Sequence, residues 1–246
     1  MFINVAVKFW HPKGQKRLVE SISKYGLRHR VWENTYPKGC PEHNQIPYAF
    51  KPYAFKDIKD EGLHKMVVWC DAAVWAQHNP TPIFDKIKQD GYFVLRNGWS
   101  TGNWSSDEQL KAFGYTREEA YSIPHAMACI VGLNFDHPAG QTIFKEYFEN
   151  IHLFKGSWKN EDNQLGDDPR IFGTRHDQTI LSLIMHKHGF NYTDPEGWIH
   201  YVSEATPLNK EAIFLSQGMA WDYRDYYRDR IKEINRKRSL GWKQKR

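Results

Sequence analysis

Met66-Val-Val-Trp-Cys-Asp71-Ala-Ala-Val-Trp75 is the segment on which the fold turns. The run from Lys65 to Cys70 is β-rich, and its apolar residues follow one another without alternation. That pattern reads as a strand buried on both faces, as in a parallel sheet covered by helices. The strand ends on a carboxylate, Asp71. Ligands of open α/β sheets bind beyond the carboxyl ends of the strands. An Asp there either caps the next turn or meets a cation, donors or a ligand hydroxyl, because a lone buried carboxylate is costly.

Outward from this segment, strands alternate with helices. Residues 2–9 read as a buried strand, and His11 to Gly14 as a loop. Lys16 to Tyr25 places Leu18, Ile22 and Tyr25 on one helical face, with Gly26 as its stop. Arg28 to Glu33 is a second strand. Pro52 suits the first turn of a helix reaching Glu61, stopped by Gly62. Pro80 and Pro82 open a helix to Asp90, and Tyr92 to Arg96 is a strand. Ser106 with Gln109 and Thr116 with Glu119 have capping-box spacing. Cys129 to Phe135 is a strand, Pro138 to Ile151 an amphipathic helix, and Asp177 to His188 a helix with Ile180, Leu181 and Ile184 inward. Ala212 to Ser216 is a last short strand. The expectation is a single α/β domain over residues 1–221, with a mainly parallel central sheet flanked by helices.

Composition narrows the function. The 246 residues are 40% hydrophobic and 26% charged, the balance of a globular domain. No apolar run approaches the roughly 18 residues of a membrane helix. The N-terminus shows no basic n-region or cleavage site, and Cys40, Cys70 and Cys129 lie far apart with no CxxC pair. The expectation is a cytoplasmic protein without a disulfide framework or structural zinc. The net charge of +5 is unevenly placed: residues 224–246 carry +7 and the remainder −2. A basic, partly helical extension over 222–246 would touch an anionic partner such as nucleic acid or a lipid surface.

Three motifs in order add a resemblance. Phe50-Lys51-Pro52 precedes a helix, the strand ending at Asp71 follows, and Arg175-His176-Asp177-Gln178 opens a later helix. Together they resemble the basic proline-containing segment, the DxD strand and the Asp-Gln element of GT-A-type nucleotide-sugar glycosyltransferases, over nearly the whole chain. The resemblance implies a GT-A-like domain that moves a sugar from a nucleoside-diphosphate sugar to a hydroxyl acceptor. It implies a donor site of Phe9, Lys51, Asp71, Arg96 and His176, with the base near Phe9 to His11. It implies Asp177 and Gln178 as the catalytic pair, Asp177 serving as acceptor-side base or sugar-hydroxyl ligand.

The chain departs from that family at residue 73. Asp71-Ala72-Ala73 lacks the second carboxylate of DxD, which in the family contacts the divalent cation bridging the diphosphate. The His-x-x-Gly-x-x-Lys phosphate motif of some branches is also absent. Three readings follow: Mn²⁺ or Mg²⁺ held by Asp71 with Asp177 or His200, a metal-independent enzyme with Lys51 or Arg96 offsetting phosphate charge, or an inactive binding protein on the same fold. Trp99 and Trp104 flank a polar loop and suit an acceptor platform, either for a glycan or, with the basic extension, for a modified nucleic-acid base.

Overall fold

The computed structural model describes residues 1–7, 11–154, 165–202 and 209–217. Phe9 and the extension 222–246 lie outside them. The elements run β1 (Phe2–Ala6), α1 (His11–Ser23), β2 (His29–Glu33), α2 (Phe50–Glu61), β3 (Met66–Cys70), β4 (Val74–Ala76), α3 (Pro82–Asp90) and β5 (Tyr92–Ser100). They continue with a 3-10 turn (Thr101–Trp104), α4 (Asp107–Phe113), α5 (Arg117–Ala120), β6 (Pro124–Asn134), α6 (Pro138–Glu149) and a 3-10 turn (Ile151–Leu153). Last come α7 (Asp177–Lys187), β7 (Ile199–Tyr201) and β8 (Phe214–Ser216).

The central sheet has the order β2-β1-β3-β6-β5. β1 is parallel to β2 and β3, whereas β6 is antiparallel to both β3 and β5. Four of the five strands therefore point one way, and β6 alone is reversed. A smaller sheet, β4-β8-β7, sits beside it.

Period-two alternation sorts the strand residues onto two faces. Ile3, Val5, Val67, Trp69 and Val94 pack with Phe55 and Ile58 of α2, Ile143 and Tyr147 of α6, and Ile180 and Ile184 of α7. Phe2, Val68, Cys70, Phe93 and Leu95 face the other way, onto Leu18 and Ile22 of α1, Ile83 and Ile87 of α3, and Phe214 of β8. Both faces are dry, which is why these strands read as unbroken apolar runs.

Both expected capping boxes form, at Ser106/Gln109 and Thr116/Glu119. Gly62 and Gly91 close α2 and α3 in the left-handed conformation. Three boundaries differ from expectation. His11 to Gly14 is the first turn of α1 rather than a loop. β5 continues to Ser100 and β6 begins at Pro124, joined across register shifts. The three-residue strands β4 and β7 carry too little pattern to stand out. Among the described residues no helix is long and apolar enough to cross a membrane.

Candidate functional site

Trp69 and Asp71 lie two apart along one chain direction, so both address the sheet face that α2 covers. The Trp69 indole Nε1–H donates to Asp71 Oδ1 at 2.7 Å. Lys51, in the first turn of α2, lies over the same face. Its side chain is only 4% exposed. Its ammonium donates to Asp177 Oδ2 at 2.8 Å, to Asp71 Oδ1 at 3.2 Å and to Ala128 O at 2.9 Å. Three protons meet three acceptors, so the ammonium is fully used. Burial opposes its charge, but the pull of Asp177 and then Asp71 prevails and holds its pKa above the ordinary lysine value.

Asp177 arrives from the other half of the chain, as the first residue of α7. A carboxylate suits the positive end of a helix. It is buried, and burial pushes its pKa upward against the opposing pull of Lys51. Tyr147 also donates to its Oδ2 at 3.3 Å. The residue before it, His176, holds φ 46° and ψ −106° and makes no side-chain cap. Tyr48, just before α2, also holds a positive φ of 62°. Non-glycine residues adopt such backbones where the surroundings impose them, most often at functional sites.

These groups line a cleft of about 690 Å³. Lys51, Asp71, His176, Asp177, Gln178 and Trp99 are all in its wall, drawn there from four separate parts of the sequence. Gln178 Nε2 donates to Ala126 O at 3.2 Å. A second cavity of about 260 Å³ opens between the end of β1 and the start of α1, lined by Val7, His11, Phe50 and Trp69. It shares Tyr48, Asp71 and Ala73 with the main cleft. Of the stretch Phe9 to His11, His11 is in its wall and Phe9 lies outside the described residues.

Arg96 is not in either wall; it is exposed and pairs with Asp194 at 2.6 Å. Nor does Trp104 line the cleft. It stacks behind Trp99 with ring centroids 5.0 Å apart, and the Arg175 guanidinium lies over both rings, at 4.8 and 4.5 Å. Trp99 itself is 43% exposed. Sequence reading missed Tyr48, Asn97, Cys129 and Tyr201 as wall residues, and Arg175 as its second cation. Only Arg175 carried a signal, through its place in the Arg-His-Asp-Gln run.

The turn after Asp71 is held from beneath by α1. Gly14 approaches so closely that a Cβ there would lie 2.2 Å from Ala72 O. Arg17 donates to Ala73 O at 3.2 Å, and Ser21 Oγ accepts from Ala76 N at 2.9 Å.

The described residues do not fit a divalent cation of the kind the resemblance implies. Such ions collect several oxygens at roughly 2.0–2.6 Å. Asp71 Oδ1 and Asp177 Oδ2 are already taken by Lys51, Trp69 and Tyr147, and residue 73 is alanine. His200 is not in the wall of either cavity. Among the described residues no three His, Cys, Asp or Glu side chains converge.

No protein-family model matches the sequence, and no curated protein does. Solved structures do. The apo structure of the bifunctional glycosyltransferase WbbM aligns at 10% identity and a TM-score of 0.51, covering 87% of this chain and 45% of that one. This chain thus spans less than half the length of WbbM. Mouse xyloside xylosyltransferase 1 aligns over 88% of this chain and 97% of its own, at 9% identity and a TM-score of 0.49. A glycosyltransferase involved in glycosylation of the major capsid of PBCV-1 aligns over 87% and 91%, at 16% identity and 0.46. The α/β fold expected from the segment around Asp71 is a fold shared with part of the solved WbbM glycosyltransferase.

Proposed function

We propose that this chain transfers a sugar from a nucleoside-diphosphate sugar to a hydroxyl acceptor. The observation that carries the reading is Lys51, drawn between Asp71 at the end of β3 and Asp177 at the start of α7, in the wall of the cleft. Carboxylates at strand and helix ends are suited to gripping sugar hydroxyls, and Lys51 fixes both. Gln178, anchored through Nε2 to Ala126 O, presents its amide beside them.

In this reading the nucleoside enters the smaller cavity beyond β1. The sugar lies against Asp71, Asp177 and Gln178. Asp177 serves as acceptor-side base or hydroxyl ligand, its pKa raised by burial against the pull of Lys51. The departing diphosphate meets Arg175 and the amino end of α7. Most of the rate comes from positioning and charge stabilisation rather than covalent help. The acceptor is a glycan whose apolar sugar face rests on Trp99.

The test is a thermal-shift screen of nucleotide sugars, with and without Mn²⁺. A donor at a hundred times its Kd stabilises the fold by about 2.7 kcal/mol, a shift of several degrees. One class of nucleotide sugar should give that shift. If none moves the melting point beyond what simple sugars and inorganic phosphate do, the reading fails.

A further inference from the structure

Among the described residues, the cation expected between a DxD-type carboxylate and the diphosphate finds no converging set of three ligands, yet the position is not without charge. Lys51 Nζ sits between Asp71 and Asp177, donating to both and to a backbone carbonyl. Without a cation the buried Asp177 and the half-buried Asp71 would repel each other. A lysine supplies a single charge on a tether, set in place by folding, where a divalent ion would have to be captured from solution. The residue that would complete a metal site is Ala73. Its carbonyl is spoken for as well, by Arg17 and by the backbone N–H of Gln217 at 3.2 Å. A divalent ion next to Lys51, whose side chain is buried, would also face like-charge repulsion.

We propose that the Lys51 ammonium occupies the role of the metal: it is the resident counter-ion of Asp71 and Asp177, and diphosphate binding in this cleft needs no divalent cation. Lys51 is then a positioning residue, consumed by the two carboxylates, and Arg175 is the wall cation that addresses phosphate. The inference rests on the glycosyltransferase reading for its diphosphate arm, but not for its metal arm. A corollary follows. Removing Lys51 leaves two carboxylates facing a space one ammonium wide, and such a pair should acquire affinity for Mn²⁺.

The experiment measures Mn²⁺ binding by electron paramagnetic resonance and melting temperature with the full chain. It uses the native protein, Lys51→Ala and Lys51→Arg, each with UDP and GDP as probes in EDTA or in Mn²⁺. The native protein should bind no Mn²⁺ at micromolar concentration, and its nucleotide affinity should be the same within about twofold in EDTA and in Mn²⁺. Lys51→Ala should melt lower, bind Mn²⁺, and recover several degrees when Mn²⁺ is added. Lys51→Arg should keep metal independence, because it keeps the charge. Micromolar Mn²⁺ binding by the native protein, or nucleotide binding that EDTA abolishes, would overturn the proposal. If Lys51→Ala fails to fold, the native protein's Mn²⁺ titration still decides. If no nucleotide binds under any condition, the glycosyltransferase reading fails on its own, and the Mn²⁺ titrations separately decide the counter-ion role.

Discussion

The rings of Tyr48 and His176 meet in the wall of the cleft with centroids 5.4 Å apart, and each residue holds a backbone with positive φ. Two strained residues, one before α2 and one before α7, thus face each other beside the Lys51 ion pairs. Strain of this kind costs of order 1–3 kcal/mol per residue and persists where the surroundings over-determine it.

His176→Gly separates strain from use. Glycine adopts φ 46°, ψ −106° without penalty, and that relief offsets the loss of a buried ring, so stability in urea denaturation should change by less than about 1 kcal/mol. The ring against Tyr48 is lost, and turnover of the donor should fall. A variant that is less stable and equally active would show that the backbone there is not strained and the ring not used.

Asp71→Asn keeps the shape and removes the charge. Asp177 continues to pair with Lys51, so circular dichroism should report an intact fold. Donor affinity or turnover should fall by roughly tenfold or more, the value of a charged hydrogen bond. Unchanged binding and turnover would remove Asp71 from the donor site.

Much of this was legible, for reasons that stay within short stretches of chain. Trp69-Cys70-Asp71 shows a buried strand ending on a carboxylate, and the Ser106 and Thr116 caps need only three residues of spacing. The meeting of Lys51 with Asp177 was not legible as an ion pair, since 126 residues separate them and neither local pattern encodes the contact. Arg96 sits in a segment where β5 crosses register shifts, and Asp194 draws it to the surface. The early start of α1 was hidden by Gly14, a poor helix former that is there because nothing larger fits against Ala72.

Gly14→Ala therefore sets two effects against each other. Alanine favours the helix by about 1 kcal/mol. Its Cβ would sit 2.2 Å from a backbone oxygen, and a carbonyl inside a packed turn yields less readily than a flexible side chain. The clash should win, lowering stability by about 1–3 kcal/mol in urea denaturation. A more stable variant would mean that α1 can ride away from the Asp71 turn.

Trp99→Ala addresses the acceptor. A stacked sugar is worth about 1 kcal/mol, so the acceptor KM should rise roughly fivefold with the donor KM unchanged. Because Trp99 is substantially exposed, the melting point should move little. Equal changes in both KM values would place Trp99 in the donor site instead.

His125 gives the protein an acid-sensitive step. It is fully buried, and burial, then Arg175, pushes its pKa down to about 3. Its Nδ1 accepts from Asn97 at 2.9 Å, which fixes the loop leading to Trp99. The unfolded chain takes up a proton near pH 6.5 and the folded one does not until about 3. Stability from this residue is thus present above pH 6.5 and lost as pH falls toward 3, by roughly 4 kcal/mol over the window. His125→Gln should flatten the fall in urea midpoint between pH 7 and pH 4. Parallel pH curves for the two proteins would show that His125 takes up its proton at the same pH in the folded and unfolded chain.

The most direct test of the proposed activity is release of nucleoside diphosphate from whichever nucleotide sugar stabilises the chain, measured with a panel of sugar acceptors, for the native protein and for Asp177→Asn. The native protein should release nucleoside diphosphate in step with new glycosidic product. Asp177→Asn, verified as folded by circular dichroism, should be slower by about 100-fold or more. A native protein that binds the donor yet releases nothing with any acceptor, or an Asp177→Asn variant as fast as the native one, would contradict the account.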